Sequence, residues 1–98
     1  MNIAPRRQPA IVISDPRMMT GSQIRAARGL LRISARELAE RASVGIATIQ
    51  RAESTDDVPN INARTLAKIQ AALEAGGVLL IDPNTASHSG GAGVRFKP

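Results

Sequence analysis

The stretch Ser34–Glu53, SARELAERASVGIATIQRAE, predicts two short amphipathic helices joined by a tight turn. Ser34 and Glu37 have the spacing of a capping box, which starts the first of these helices at the serine. This helix is expected to end near Ala42, and the next to cover Ile46–Glu53. Small and apolar residues occupy the positions where two crossed helices touch: Leu38, Ala39, Val44, Ile49 and Ala52. The pattern predicts a helix-turn-helix, which can hold one helix out into a DNA groove.

Hydrophobic periodicity predicts one further helix on each side of this pair. The earlier helix runs from Ser22 to about Leu31. The later one follows Asn62, a suitable N-cap, and ends near Ala75, where Gly76-Gly77 stops it. Apolar residues recur at helical spacing in both, at Ile24, Ala27 and Leu31 in the first and at Leu66, Ile69, Ala72 and Leu73 in the second.

The two ends of the chain differ from this helical centre, so we divide it into a leader (1–20), a helix-turn-helix domain (21–77) and a C-terminal segment (78–98). The leader allows three interpretations: a mobile tail, a basic arm (Arg6-Arg7) reaching into a minor groove, or a strand over Ala10–Ile13 that joins the C-terminal sheet. Val78–Ile81 and Val94–Lys97 predict a β-hairpin with a long loop. A lone hairpin is marginal in water, so the helices, the leader strand or a second subunit must cover it.

Composition limits the possible functions. The chain has 98 residues, one Phe, and no Trp, Tyr or Cys, which predicts one small domain with an aliphatic core and no thiolate metal site. Its net charge is +5, and 11 of the 13 basic residues are Arg, the side chain best suited to phosphate and guanine. No apolar run approaches the ~20 residues of a membrane span. His88 is the lone histidine, and no nucleophile–base pair, metal ligand set or cofactor motif is present, so we expect no enzyme, metal or cofactor.

Residues from about Gly21 to Val78 resemble the DNA-binding domain of phage-repressor-like (Xre/Cro) helix-turn-helix regulators. The matching residues are Ile24, Arg25, Arg28, Leu31, Ser34–Ala39, Val44, Thr48, Ile49, Arg51, Glu53, Thr65–Ile69, Ala72 and Leu73. The resemblance implies a mainly α chain, a compact four- to five-helix repressor-like domain followed by the β-hairpin. It also implies a salt bridge between Arg28 and Glu53, and a positive φ at Ser43, where the family's turn usually has Gly. The expected function is a bacterial, cytoplasmic transcriptional regulator that binds a palindromic double-stranded DNA operator as a homodimer.

The helix Ile46–Glu53 is then the recognition helix. Its outward face would present base-contacting side chains to the major groove: Ile46, Ala47, Gln50 and Arg51. Phosphate contacts are expected from six residues around it: Arg25, Arg32, Ser34, Arg36, Thr48 and Ser54. The hairpin is the candidate dimer contact, through Val78, Leu80, Val94 and Phe96.

A second class of function remains open on the same fold. The domain would then bind a protein partner, as an antitoxin or anti-activator does, with DNA binding secondary or lost. The apolar C-terminal segment favours this alternative, whereas Gln50, Arg51 and the Arg-rich surface favour DNA.

Overall fold

A computed structural model describes residues 12–82 and 92–98 of the chain. Four α-helices and two strands are present in these ranges, preceded by a 3₁₀ turn over Pro16–Met18. In chain order the elements are α1 (Gly21–Leu31), α2 (Ala35–Ala42), α3 (Ile46–Glu53), α4 (Ala63–Gly76), β1 (Val78–Ile81) and β2 (Gly93–Phe96). The predicted mainly helical architecture with a C-terminal hairpin is confirmed. Four to five helices were expected, and the described ranges contain four. None of these helices is long and apolar enough to cross a membrane.

Side-chain caps explain where the helices begin. Ser34 Oγ accepts a hydrogen bond from the Glu37 backbone N–H at 3.0 Å, so the predicted cap of α2 is present. The capping box is only half formed, because the Glu37 carboxylate binds Arg41 Nη2 at 2.7 Å within the described structure. A complete capping box lies instead at α1, between Thr20 and Gln23. The predicted Asn62 cap of α4 is also present, and at its end Gly77, with a φ of 114°, terminates the helix just after Gly76.

The core is aliphatic, as the composition predicts, and lies between the four helices and one face of the hairpin. Its fully buried side chains include Ile24, Leu38, Ile49, Leu66 and Leu73. Gly21 allows α1 to approach the end of α3, because a Cβ at this position would lie 2.0 Å from the Thr55 carbonyl oxygen. Backbone atoms cannot move aside as a flexible side chain can, so only glycine fits here.

β1 and β2 pair antiparallel, with Val78 opposite Phe96 and Leu80 opposite Val94. Val12 forms an isolated antiparallel bridge with Ile81 on the other side of β1. At its C-terminal end, the predicted leader strand therefore does lie beside the C-terminal sheet. Met1–Ile11, including the Arg6-Arg7 arm, and the loop that carries His88 lie outside the described residues.

The predicted dimer contact is wrong for two of its four residues, Val78 and Leu80. Val78 and Leu80 are 0% exposed, because their side chains fill the space between the hairpin and the helices of their own chain. They are therefore not available to a second subunit in this fold. Val94 is half-buried and Phe96 is exposed, so these two remain accessible.

Candidate nucleic-acid interface

The third helix has one buried and one exposed face. Ile49 and Ala52 are 0% exposed and fix α3 against the core. Ala47, Gln50 and Arg51 are exposed, as predicted from the helical spacing. The fourth predicted base-contacting residue, Ile46, is only half-exposed, because it packs against the core cluster.

The turn between α2 and α3 is closed by backbone hydrogen bonds. Ser43 has a φ of 58°, which confirms the expected left-handed conformation. The Val44 N–H donates to the Ala39 carbonyl at 3.0 Å, so a backbone group of the turn satisfies a carbonyl in the last turn of α2. A non-glycine residue in this region costs roughly 1 kcal/mol, which the packing of the two helices must offset.

A second left-handed residue, which the sequence did not indicate, ends α1. Arg32 has a φ of 57°, and the next residue, Ile33, donates its N–H to the Arg28 carbonyl at 3.2 Å. The Arg32 side chain is exposed just before the N-terminus of α2. The conformation thus turns the chain sharply, two residues before the predicted phosphate-binding residue Ser34.

Arg28 and Glu53 form the expected salt bridge between α1 and the end of α3. Arg28 Nε and Nη2 each donate to one carboxylate oxygen at 2.9 Å. Arg28 Nη1 also donates to the Ile33 carbonyl at 3.2 Å. The hydrogen bond to Glu53 raises the pKa of Arg28 above its ordinary value. With the Glu53 side chain only 10% exposed, this bidentate pair holds the C-terminal end of α3 in one orientation.

The predicted phosphate-binding residues lie in two places along the motif. Ser34 and Arg36 are exposed at the start of α2, and Thr48 is half-exposed in the first turn of α3. Ser54 lies beyond the other end of α3, where its hydroxyl donates to the Arg51 carbonyl at 2.7 Å. Arg32, Ser34 and Arg36 therefore lie together at the α1–α2 connection, whereas Ser54 follows the C-terminal end of α3.

Arg25 differs from the other predicted phosphate ligands, because protein groups already bind its guanidinium. Its Nη2 pairs with Asp56 Oδ1 at 2.5 Å and donates to Ser22 Oγ at 3.1 Å. Its Nη1 donates to the Glu53 carbonyl. The hydrogen bond from Arg25 lowers the pKa of Asp56 below its ordinary value, with a further contribution from Ser22. No local sequence pattern indicates this loop carboxylate, because the two residues are 31 positions apart.

Two buried glutamines, also missed, attach the sheet to the helical domain. Gln23 is 2% exposed, and its amide donates to the carbonyls of Ile81 at 2.7 Å and Gly93 at 3.0 Å. Gln70 is 6% exposed and donates to the Ile13 carbonyl at 2.8 Å. Buried polar groups need such partners, so the two amides fix the position of the hairpin and of the Val12–Ile13 segment.

The described residues contain no cluster of His, Cys, Asp and Glu that could hold a metal ion. The surface around α3 offers instead a helix face with a neutral amide and a guanidinium, together with nearby cations at the start of α2. The chain matches no protein-family model and no curated protein sequence.

Proposed function

We propose that the protein is a sequence-specific transcriptional regulator that binds a palindromic double-stranded DNA operator as a homodimer, with α3 in the major groove. The observation that carries this proposal is that the outward face of α3 presents two polar side chains that no other described residue binds. Gln50 and Arg51 are exposed, and neither side chain has a hydrogen-bond partner within the described residues. The resemblance of Gly21–Val78 to Xre/Cro regulators supports the same reading.

The chemistry of this face suits base edges. Gln50 would bind adenine through N6 and N7, and Arg51 would bind guanine through O6 and N7. Ala47, next to them, is small enough to contact a thymine methyl group. Because α3 is fixed by its buried face and by the Arg28–Glu53 pair, both long side chains would approach DNA from a rigid helix.

Phosphate contacts would set the position of α3 along the duplex. Arg32 and Arg36 are exposed and have no ion pair within the described residues. The N-terminus of α2 lies between them in the chain, and its unpaired backbone N–H groups favour an anion. Arg25 should contribute less to phosphate binding, because Asp56 already neutralises its charge.

Selection of binding sites from a random duplex pool at ~150 mM salt tests the proposal, because specific binding must persist where non-specific binding is weakened. We expect the wild type to enrich a palindrome and the Gln50→Ala/Arg51→Ala variant to enrich none. Arg64→Ala/Lys68→Ala, which removes two exposed cations from α4, is the control and should enrich the same palindrome. Absence of any enriched motif with the wild type would refute the proposal.

The alternative function is a protein-interaction module. The observation that favours it is Phe96 on β2, whose side chain is 55% exposed. Salt dependence separates the two functions. A regulator should bind its selected duplex more than tenfold better than random DNA, with a steep loss of affinity as salt increases. A module that has lost DNA binding should show no such ratio.

A further inference from the structure

The outer edge of β2 is free to pair within the described part of the chain. β1 has β2 on one side and the Val12–Ile13 segment on the other, where Ile13 N–H donates to the Leu80 carbonyl at 2.8 Å. On the β2 side, Lys97 N–H donates to the Gly77 carbonyl at 2.8 Å. Backbone groups alternate in direction along an antiparallel strand, so those of Gly93, Arg95 and Lys97 point to β1. Those of Val94 and Phe96 therefore point outward.

We propose that this edge pairs antiparallel with the same edge of a second copy of the chain, around a two-fold axis at Val94. The inference rests in part on the homodimer proposed above, whose contact surface it identifies. The pairing would join the two sheets into one and satisfy the outward backbone groups, which an exposed edge otherwise offers to any strand.

Charge selects Val94 as the centre of the pairing. An axis at Arg95 would place the two Arg95 side chains directly opposite each other, and like charges in this position are destabilising. An axis at Phe96 would place Arg95 opposite Lys97 and pair Val94 with Pro98, which has no N–H to donate. An axis at Val94 places each Arg95 opposite a glycine, Gly93, so no like charges lie directly opposite each other.

The same register gives Phe96 a binding site on the partner. Directly paired residues project on the same face, so the partner's Phe96 would lie beside Ala92 on the face that also carries Val94. A surface cavity of about 160 Å³ opens there, lined by Ser22, Gln23, Ala26, Ala92, Gly93 and Val94. Its volume is similar to that of an engineered cavity of ~150 Å³ that binds benzene. The ring is 55% exposed in its own chain, and insertion into the partner would bury it.

This arrangement also explains how the hairpin can join two subunits although Val78 and Leu80 are buried. Val78 and Leu80 remain in the core of their own chain, and the contact uses only the backbone of β2 and the accessible Val94 and Phe96. Each copy supplies one ring and one cavity, so the interface is self-complementary, as a two-fold dimer requires.

Sedimentation of the full chain without DNA tests the proposal. We expect the wild type to be a dimer at micromolar concentration and Phe96→Ala to raise the dimer dissociation constant at least ~tenfold, as the loss of a buried aromatic anchor does. Val58→Ala is the matched control, since Val58 is also an exposed apolar residue, at 42% exposure, but lies in the loop after α3. It should dimerise as the wild type does. Circular dichroism should show the same helix content for all three proteins.

Single cysteines test the register, because the chain has no native Cys. Paired α-carbons at Val94 would be about 5.5 Å apart, within the range of a disulfide. The two Gly93 α-carbons would be offset by two residues along the strands and more than ~7 Å apart. A side chain at Gly93 would meet only ordinary contacts, 3.5 Å from Ile81 Cβ, and the substitution leaves Arg95 in place. With oxidised glutathione, Val94→Cys should cross-link and Gly93→Cys should not.

Three results would overturn the inference: a monomeric wild type, a Phe96→Ala dimer as tight as the wild type, or cross-linking of Gly93→Cys in preference to Val94→Cys. Because assembly is measured without DNA, these results are distinct from a failure of site selection, which concerns the proposed function. Dimerisation that persists in Phe96→Ala would refute this interface and leave the proposed DNA binding unaffected.

Discussion

Arg28 binds both carboxylate oxygens of Glu53, with its Nε and its Nη2 each 2.9 Å from its acceptor. The two residues are 25 positions apart and connect α1 to the last residue of α3. Bidentate pairs of this kind fix angle as well as distance. The orientation of the proposed recognition helix therefore depends on a bond made outside its DNA-facing surface.

Loss of this pair should destabilise the fold. Arg28→Ala would leave the Glu53 carboxylate, 10% exposed, without its cation. We expect a loss of about 2–3 kcal/mol in the free energy of unfolding, below the cost for a completely buried pair. Urea denaturation measures it. Arg36→Ala, which removes an exposed cation, should change stability by less than ~0.5 kcal/mol; equal losses in the two variants would contradict the prediction.

Two glycines of α1 should respond to alanine in opposite directions. At Gly21 a Cβ would lie 2.0 Å from the Thr55 carbonyl oxygen, so Gly21→Ala must displace α1 from the loop after α3 and should cost about 1–3 kcal/mol or more. At Gly29 nothing lies within 4 Å of the added Cβ. Gly29→Ala should therefore stabilise the helix by ~0.5–1 kcal/mol. Thermal melting of both variants distinguishes the two effects, and a stable Gly21→Ala protein would show that the contact is loose.

Removal of the Gln23 amide should loosen the hairpin. Gln23→Leu deletes both hydrogen bonds to the sheet and half of the α1 capping box, so we expect a loss of about 2–3 kcal/mol. Hydrogen exchange should accelerate most at the amides of β1 and β2. Gln50→Leu, at an exposed position, is the control and should leave exchange in the hairpin unchanged. Uniform acceleration over the whole chain would argue against a local clamp.

The pKa of Asp56 should lie below the ordinary value of an aspartate, because Arg25 and Ser22 bind its ionised form. A group with a lower pKa in the folded state stabilises the fold at neutral pH. This contribution is lost as the pH falls through the folded-state pKa. An NMR titration of the carboxyl carbon measures the shift, and Arg25→Ala should return the pKa toward the ordinary value. An unchanged pKa in Arg25→Ala would assign the shift to another group.

Arg51 and Arg36 should affect DNA binding in different ways. Arg51→Ala should weaken binding to the selected operator by about tenfold to a hundredfold and relax the preference at one base pair, since a bidentate base contact contributes ~1–3 kcal/mol. Arg36→Ala should weaken binding to all sequences and reduce the salt slope by ~1. Fluorescence anisotropy over a series of salt concentrations measures both. If Arg51→Ala changed only the salt slope, Arg51 would be a phosphate ligand.

Local signals explain why much of the helical domain could be predicted. The caps at Ser34 and Asn62 act within one turn of the backbone, and the buried positions of α3 follow from the 3.6-residue period. The prediction failed within α2 itself only where a neighbour competed: Arg41 takes the Glu37 carboxylate that would have completed the capping box. The Arg28–Glu53 pair came from the family resemblance, since no local pattern joins residues in α1 and α3.

The sequence by itself determined the helices, the caps at Ser34 and Asn62 and the face of α3 that carries Gln50 and Arg51, because these depend on interactions within a few residues. Tertiary structure alone decided three other features: Arg25 is neutralised by Asp56, Gln23 binds the sheet, and Val78 and Leu80 face inward. Each of these depends on which distant backbone or side chain comes within hydrogen-bonding or packing distance. A strand with apolar residues on one face has the same sequence pattern whether a helix or a second subunit covers that face. Only the folded chain shows that its own helices cover it.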